Sequence, residues 1–289
     1  MSPVFTEATF ESDDGLNLYY RDYAAQGGAH TPALCLTGLT RNCRDYEDLA
    51  PHIAGHHRVI CPDPRGRGRS DYDPNVANYH PGTYVQDTLK LMDLLGLEKA
   101  IIIGTSMGGL MAMIMSAMAP ERIAGTIFND VGPEVSEEGI ERIKSYVGVP
   151  TVAADWDEAA ATVRAFAADL YPDFDDADWI RFARRIFRED GAGKIVPDYD
   201  PKIAEGLAAG SAVPPDLWPL FDAVSQRPLL VIRGAHSDIL SADTLARMQK
   251  RSPEMRVAVV PARGHAPTLD EPDAVAAIDA FLAALRAAT

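Results

Sequence analysis

The sequence has few cysteines, and their arrangement predicts neither a disulfide framework nor a redox site. It contains only Cys35, Cys43 and Cys61, with no Cys-x-x-Cys pair. Three scattered thiols are too few for a disulfide scaffold. Cys35 and Cys61 lie in apolar runs predicted to be strands, where a reduced thiol is an ordinary small core residue. This usage fits a reducing compartment, so we predict a cytoplasmic protein.

Positive charge is also scarce, which argues against a nucleic-acid partner. The chain has 27 Lys and Arg against 42 Asp and Glu, a net charge of -15. Binding to a phosphate backbone needs a basic surface. His52 and His56 have helical spacing but no evident third ligand, so we expect no metal site. The first residues, MSPVFTEATFESDDG, lack the basic and apolar regions of a signal peptide.

One uncharged run has the length of a membrane span, but its glycines argue against that function. Residues 100–119 carry no charge, and about twenty apolar residues are enough to cross a bilayer. GTSMGG lies in the middle of the run, and such a glycine cluster is typical of a tight turn. We therefore predict a short buried strand followed by a helix, with no membrane contact.

The composition is that of a globular α/β protein with a large core. The chain has 289 residues, 47% of them hydrophobic and 24% charged. Apolar strand-like runs, among them ALCLTG, HRVICP, AIIIG and IAGTIFND, alternate with helical segments. This alternation predicts a parallel sheet covered by helices on both faces. Before it, VFTEATFES and LNLYYRDY flank DDG and predict an antiparallel hairpin.

The alternating pattern is interrupted once. Residues 132–225 are helical and amphipathic in pattern, with no strong strand. The sheet pattern then resumes with RPLLVIRG and EMRVAVVP and ends in a helical segment. We therefore predict a core made of residues 1–131 and 226–289, with residues 132–225 inserted as a helical cap.

Two segments contain the residues expected to carry chemistry. GTSMG is a Gly-x-Ser-x-Gly motif between a predicted strand and a predicted helix, which places Ser106 at the apex of a sharp turn. A serine hydroxyl needs a neighbouring base to act as a nucleophile. His265, in the loop ARGHAPTLDEP after the last strand, can take the serine proton and return it to a leaving group.

Taken together, GTSMGG, DPRGRGRSD and GHAPTLDEP resemble the α/β-hydrolase family, and the resemblance extends along the whole chain. The resemblance implies a mostly parallel eight-stranded sheet flanked by helices, with the cap inserted after the sixth strand. It also implies a hydrolase without a cofactor that uses Ser106, a carboxylate and His265. In such enzymes two main-chain N–H groups form an oxyanion hole, and they correspond here to Leu39 and Met107.

The family offers two positions for the acid. The common position follows the seventh strand, where a glycine and two further residues precede the Asp. Counted from Gly234, that position is Ser237, and Asp238 comes one residue late. The other follows the sixth strand, as in the dehalogenase and acetamidomethylenesuccinate hydrolase branches, and here it holds Asp130. We expect Asp130 to be the acid, with Asp238 as the alternative.

The same residues are compatible with several reactions. Ester hydrolysis through an acyl-enzyme at Ser106 is the leading hypothesis. The alternatives are a carbon–carbon bond hydrolase, an amide or enol-lactone hydrolase, and a non-enzymatic ligand receptor that keeps the pocket. In each case we expect a small-molecule ligand and a monomer or homodimer.

Arginine is the one hint about the substrate. Arg41 lies beside the predicted oxyanion turn and is a candidate substrate contact, since a guanidinium can hold a carboxylate through two hydrogen bonds. The predicted cap adds Arg142, Arg164, Arg181, Arg184, Arg185 and Arg188. A single arginine on a helix is more often solvated or ion-paired, so these residues leave an anionic substrate as one alternative.

Overall fold

The computed structural model describes residues 4–28, 30–208 and 216–287. Its strands are β1 (Thr6–Glu11), β2 (Asn17–Tyr23), β3 (His30–Leu36), β4 (His57–Pro62), β5 (Ala100–Thr105), β6 (Ile123–Asn129), β7 (Phe187–Glu189), β8 (Ile195–Pro197), β9 (Leu229–Gly234) and β10 (Arg256–Val260). Its α-helices are α1 (Leu49–Ile53), α2 (Pro81–Leu94), α3 (Met107–Met118), α4 (Glu137–Tyr146), α5 (Trp156–Ala167), α6 (Asp176–Ile186), α7 (Ile203–Ala208), α8 (Trp218–Val224), α9 (Ala242–Arg251) and α10 (Pro272–Ala287).

Eight of these strands form one sheet, which confirms the predicted fold class. Their order is β1-β2-β4-β3-β5-β6-β9-β10. The contacts of β2 with β1 and β4 are antiparallel, and every other neighbouring pair is parallel. The predicted hairpin is β1 and β2. The carboxyl ends of the parallel strands meet at one edge of the sheet, where ligands of open α/β sheets bind.

The uncharged run 100–119 forms the centre of this fold. It divides into β5, between β3 and β6, and α3, as predicted from its glycines. A central parallel strand is covered on both faces, so a continuous apolar run is stable there. Among the described residues, no helix is both long and apolar enough to cross a membrane.

Glycine is required where β5 turns into α3, because backbones meet there without room for side chains. A Cβ on Gly104 would lie 2.5 Å from the main-chain carbon of Gly108. A Cβ on Gly108 would lie 2.0 Å from the carbonyl oxygen of Leu36 in β3. Both distances are far below van der Waals contact, so the two glycines allow α3 to start directly above the sheet.

Two apolar clusters cover the faces of the sheet, and a third lies within the inserted segment. One face packs against α2, α3 and α8, and the other packs against α1 and α10. The third cluster joins α5, α6 and β7 through side chains that include Val163, Trp179 and Phe187. Between β6 and β9, the residues that the structure describes add no strand to the large sheet.

The inserted segment contains a small hairpin that the sequence analysis missed. β7 and β8 pair antiparallel, with Phe187 opposite Pro197. Strands of three residues are too short to show an alternating pattern, which explains the error. Helix α8, near the carboxyl-terminal limit of the predicted cap, packs against α3 through Phe221 and Val224, which are buried with the core. The boundaries of the cap remain a prediction.

Candidate active site

Four neighbouring strands carry the candidate nucleophile, base and acids to the same edge of the sheet. Ser106 follows β5 and Asp130 follows β6 directly. Asp238 lies in the loop after β9, and His265 lies in the loop after β10. These strands are adjacent in the order β5-β6-β9-β10. Residues far apart in sequence therefore meet because parallel strands end together.

Ser106 occupies the strained turn that the motif predicts. Its φ angle is 53°, in the left-handed region that most L-residues avoid. Its main-chain N–H donates to the carbonyl oxygen of Asn129 at 3.1 Å, which ties the turn to the end of β6. The Ser106 Oγ lies 2.9 Å from Nε2 of His265. The hydroxyl is thus within hydrogen-bond reach of a base.

Asp130 lies on the other side of the same imidazole. Its Oδ2 is 2.8 Å from Nδ1 of His265, and its side chain is fully buried. The main-chain N–H of Gly234 donates to Oδ1 at 2.9 Å. The Ser237 hydroxyl donates to Oδ2 at 2.6 Å. A buried carboxylate needs such donors to compensate for lost hydration. Asp130 also has a positive φ of 58°.

Asp238 is held elsewhere. Arg142 of α4 donates to it through Nε and through Nη2, the latter at 3.0 Å from Oδ1. Its carboxylate therefore joins the loop after β9 to the inserted segment. Of the two candidate acids, the structure brings Asp130 into contact with His265 and directs Asp238 to an arginine.

Ser237 contacts Asp130, and the sequence analysis did not assign a function to this serine. It stands at the common acid position, three residues after Gly234, and there it supplies a hydrogen bond to the acid instead of a carboxylate. Its Oγ also accepts from the main-chain N–H of Leu240 at 2.9 Å, which fixes the hydroxyl in place. The sequence contained a signal for this hydrogen bond. A polar residue at the common acid position can donate to an Asp that follows β6.

The predicted oxyanion turn lies against Ser106. A Cβ added to Gly38 would be 3.7 Å from the Cβ of Ser106. Arg67, fully buried, donates from Nε to the Leu39 carbonyl oxygen at 2.8 Å and so fixes the orientation of that peptide. Among the described residues, the N–H groups of Leu39 and Met107 have no main-chain or side-chain acceptor. The arginine was visible in DPRGRGRSD, but its contact was not.

Two chambers open on Ser106. The first, here named the arginine chamber, has a volume of about 150 Å³. The second, named the apolar chamber, has about 330 Å³. The arginine chamber is lined by residues that include Arg41, Asp45, Arg142, Arg185, Tyr146, Tyr171 and His265. The apolar chamber is lined by residues that include Met107, Leu110, Met113, Val131, Ile203 and Leu217.

The structure separates the arginines that the sequence grouped together. Arg41 lines the arginine chamber, where its Nε donates to Asp45 at 2.9 Å. Arg142 and Arg185 line it too. Burial raises the pKa of Tyr171, and the Arg41 and Arg142 guanidiniums oppose that rise, so both positive charges act on the same region. The other cap arginines are not part of the lining: Arg164, Arg181, Arg184 and Arg188.

The described residues include no group of three or more side chains arranged to hold a metal ion. His52, one of the two histidines with helical spacing, forms a contact of 2.8 Å between its Nε2 and Asp279. Both side chains of this pair are exposed on the surface.

Comparison with known proteins shows that this chain is similar to several hydrolases. The model of the α/β-hydrolase fold family matches residues 31–272. A 3-hydroxybutyrate-oligomer hydrolase of Cupriavidus necator is 34% identical, over 86% of this chain and 87% of that protein. A 2-(acetamidomethylene)succinate hydrolase of Mesorhizobium japonicum is 28% identical, over 79% of each chain.

The crystal structure of an α/β hydrolase from Novosphingobium aromaticivorans superposes with a TM-score of 0.93. It is 48% identical and covers 98% of this chain and 99% of its own. The family model, these relatives and the observed sheet agree with one another. The chain therefore belongs to the α/β-hydrolase fold family and is an α/β-hydrolase enzyme.

Proposed function

We propose that this enzyme hydrolyses esters of small molecules through an acyl-enzyme formed on Ser106. The observation that carries the proposal is the continuous chain of contacts from Ser106 Oγ to His265 Nε2, at 2.9 Å, and from His265 Nδ1 to Asp130 Oδ2, at 2.8 Å. This is the arrangement of nucleophile, base and orienting carboxylate that acyl transfer requires.

The first half of the reaction forms the acyl-enzyme. Ser106 Oγ attacks the ester carbonyl carbon while its proton passes to His265 Nε2. The tetrahedral intermediate then expels the alkoxide, which takes that proton and leaves as an alcohol. Asp130 accepts a hydrogen bond from Nδ1–H, which keeps Nε2 free to act as the base and stabilises the imidazolium that forms.

The second half regenerates the enzyme. A water molecule gives its proton to His265 Nε2 and attacks the acyl carbon, and Ser106 Oγ leaves with that proton as the acid product separates. In both halves a negative charge develops on the carbonyl oxygen. The N–H groups of Leu39 and Met107 are our candidates for stabilising it, and losing one such donor typically costs about 2.7–4 kcal/mol of transition-state stabilisation.

One relative favours ester cleavage over the other acyl and carbon–carbon reactions. The Cupriavidus necator protein is named for an oligomer of 3-hydroxybutyrate, in which the units are joined by ester bonds. It matches most of this chain at 34% identity. We further propose that residues 132–225 form a cap over the site, since this segment supplies Arg142, Tyr146 and Arg185 to the lining.

Release of p-nitrophenol from p-nitrophenyl butyrate in a stopped-flow instrument tests the proposal. We expect a burst in the wild type and its loss in Ser106→Ala. The matched control is Ser116→Ala, in the same helix α3, where the hydroxyl donates to the Ala112 carbonyl oxygen. That variant should retain the burst.

Intact-protein mass spectrometry of the quenched reaction should show a butyryl adduct on the wild type and none on Ser106→Ala. Ester hydrolysis that persists in Ser106→Ala at the wild-type rate would refute the serine mechanism. If the wild type cleaves p-nitrophenyl butyrate no faster than buffer does, ester hydrolysis itself would be refuted.

A further inference from the structure

The two chambers meet at Ser106 but contact different parts of the proposed machinery. Ser106 and Leu39 line both chambers. His265 lines only the arginine chamber, and Met107 lines only the apolar chamber. An ester bound with its carbonyl carbon at Ser106 therefore extends one half into each chamber.

The position of His265 decides which half goes where. In acyl transfer the protonated base gives its proton to the departing alcohol, so the alcohol oxygen must lie beside Nε2. The chamber lined by His265 consequently receives the alcohol half. The acyl half, which stays on Ser106, extends into the apolar chamber.

The two chambers differ in charge as well as in position. No charged side chain lines the apolar chamber among the described residues. Within the described part of the chain, the guanidiniums of Arg41, Arg142 and Arg185 line the arginine chamber, and Asp45 is the single carboxylate there. Asp238 and Asp48, which pair with Arg142 and Arg185, are outside the lining. The wall of the arginine chamber therefore presents an excess of positive charge.

Arg185 is the most buried of these three arginines. Its side chain is 6% exposed, and its Nη2 is held by Asp48. Its Nε is buried and has no hydrogen-bond partner among the described residues. A buried donor without an acceptor is costly, more so when it is charged. Among the described residues, Arg185 thus makes one hydrogen bond to a carboxylate, fewer than Arg41 or Arg142.

The ion pairs of Arg41 and Arg142 also fix these side chains in place before a ligand binds. Arg41 and Arg142 each contact a carboxylate through Nε and Nη2. A guanidinium has five N–H donors, so each still has donors for a second acceptor. A side chain already fixed by one carboxylate loses little conformational freedom when it binds another.

On the basis of the proposed ester hydrolysis, we propose that the substrate carries a carboxylate on its alcohol half and a short apolar chain on its acyl half. The carboxylate binds in the arginine chamber at Arg41, Arg142 and Arg185. The acyl chain fills the apolar chamber. The substrate class is thus an acyl ester of a hydroxycarboxylic acid.

Three esters of nearly equal size test the assignment. Propyl butyrate is neutral, 3-(butyryloxy)propanoate carries a carboxylate on the alcohol half, and monopropyl succinate carries it on the acyl half. We expect kcat/KM for 3-(butyryloxy)propanoate to exceed that for propyl butyrate about tenfold to a hundredfold, as a charged hydrogen-bonded contact allows. Monopropyl succinate should be the poorest substrate, because its carboxylate would enter the apolar chamber.

Arginine variants then test which side chain produces the preference for the carboxylate on the alcohol half. Arg142→Gln should reduce the ratio of kcat/KM for 3-(butyryloxy)propanoate to that for propyl butyrate about tenfold. Arg142→Lys keeps a cation beside Asp238 and should retain part of the ratio. The matched control is Arg164→Gln, also in the cap, where the arginine is 55% exposed and pairs with Asp176. This control should leave the ratio unchanged.

Binding measurements distinguish a failure of this inference from a failure of the proposed ester hydrolysis. In Ser106→Ala, calorimetry with 3-(butyryloxy)propanoate should show tighter binding than with propyl butyrate, and Arg142→Gln should remove the difference. Preferential binding without turnover in the wild type would refute ester hydrolysis and leave the carboxylate site standing. Equal rates and equal binding for the first two esters would overturn the inference, and so would a preference for monopropyl succinate.

Discussion

The ends of β6 and β9 each carry an aspartate toward the same edge of the sheet, yet the two carboxylates have different environments. Asp130, after β6, is fully buried and contacts His265, Ser237 and the Gly234 N–H. Asp238, after β9, has a side chain that is 16% exposed and pairs with Arg142 of the inserted segment. One carboxylate supports the imidazole, and the other joins the core to the predicted cap.

The difference shows that the neighbours of a carboxylate decide what it can do. Both loops follow parallel strands that are hydrogen-bonded to each other. In the loop after β9, Ser237 donates to Asp130, and the carboxylate one residue later pairs with Arg142. A shift of one residue along this loop therefore changes which partner a side chain contacts.

The largest expected effect separates the two aspartates directly. Asp130→Asn should reduce kcat for p-nitrophenyl butyrate by about 10⁴-fold, because an amide does not hold the imidazole in the tautomer that leaves Nε2 free. Asp238→Asn should change kcat less than about tenfold, since no contact joins it to the imidazole. Steady-state kinetics on both variants measure this difference. A larger loss in Asp238→Asn would return the acid to the loop after β9.

Moving the carboxylate should partly restore the lost rate. In the Asp130→Asn background, Ser237→Asp places a carboxylate in the common position, and we expect at least about a tenfold recovery of kcat. Ser237→Asn in the same background has nearly the same shape without the charge and should not recover activity. Equal activity of the two double variants would show that position 237 cannot reach the imidazole in a useful geometry.

Ser237→Ala tests the link between the two strand ends. The hydroxyl donates to a buried carboxylate, and such a hydrogen bond contributes about 1.5–3 kcal/mol to stability. We expect that loss in urea unfolding, together with a fall in kcat of about tenfold at nearly constant KM as Asp130 becomes less well fixed.

The control for this variant is Ser241→Ala, which removes the N-cap hydrogen bond to Thr244 at the start of α9. It should lower the free energy of unfolding by about 1 kcal/mol without changing kcat. A similar fall of kcat in both variants would show that Ser237 acts only through stability.

The smallest expected effect concerns the ion pair at the end of β9. A double-mutant cycle with Arg142→Gln and Asp238→Asn should give a coupling energy of about 1 kcal/mol, because the pair has bidentate geometry and is largely shielded from water. The exposed pair of Arg164 and Asp176 is the reference and should couple by less than about 0.5 kcal/mol. Equal coupling in the two pairs would remove the reason for assigning Asp238 a joining function.

Much of the site could be predicted because local patterns specify it. The uncharged run at 100–119 predicted β5, the turn and α3, since a buried central strand and a tight glycine turn leave clear signals. His265 was predicted from its loop after the last strand. Asp130 was predicted from its place directly after β6, where the branches of the family that this sequence resembles carry their acid. The structure brings these residues together as the predicted topology requires.

Contacts between distant segments could not be predicted in the same way. The bond from Arg67 to the Leu39 carbonyl oxygen joins residues 28 apart in sequence, and the pair of Arg142 and Asp238 joins residues 96 apart. The sequence analysis singled out Arg41 beside the oxyanion turn but could not distinguish the six arginines of the predicted cap from one another. Nothing in an amphipathic helix distinguishes an arginine that faces a cavity from one that faces water.

Hydrophobic periodicity and glycine placement were enough to predict a parallel α/β sheet, an inserted helical segment and the strained turn at Ser106, because these signals act over a few neighbouring residues. The resemblance to α/β-hydrolases added the order of the residues that meet at the end of the sheet. Tertiary structure alone decided that Ser237 donates to Asp130, that Asp238 pairs with Arg142, and that the chambers on the two sides of Ser106 differ in charge. These outcomes depend on side chains from separate elements packing at angstrom distances, and such distances are set by the whole fold.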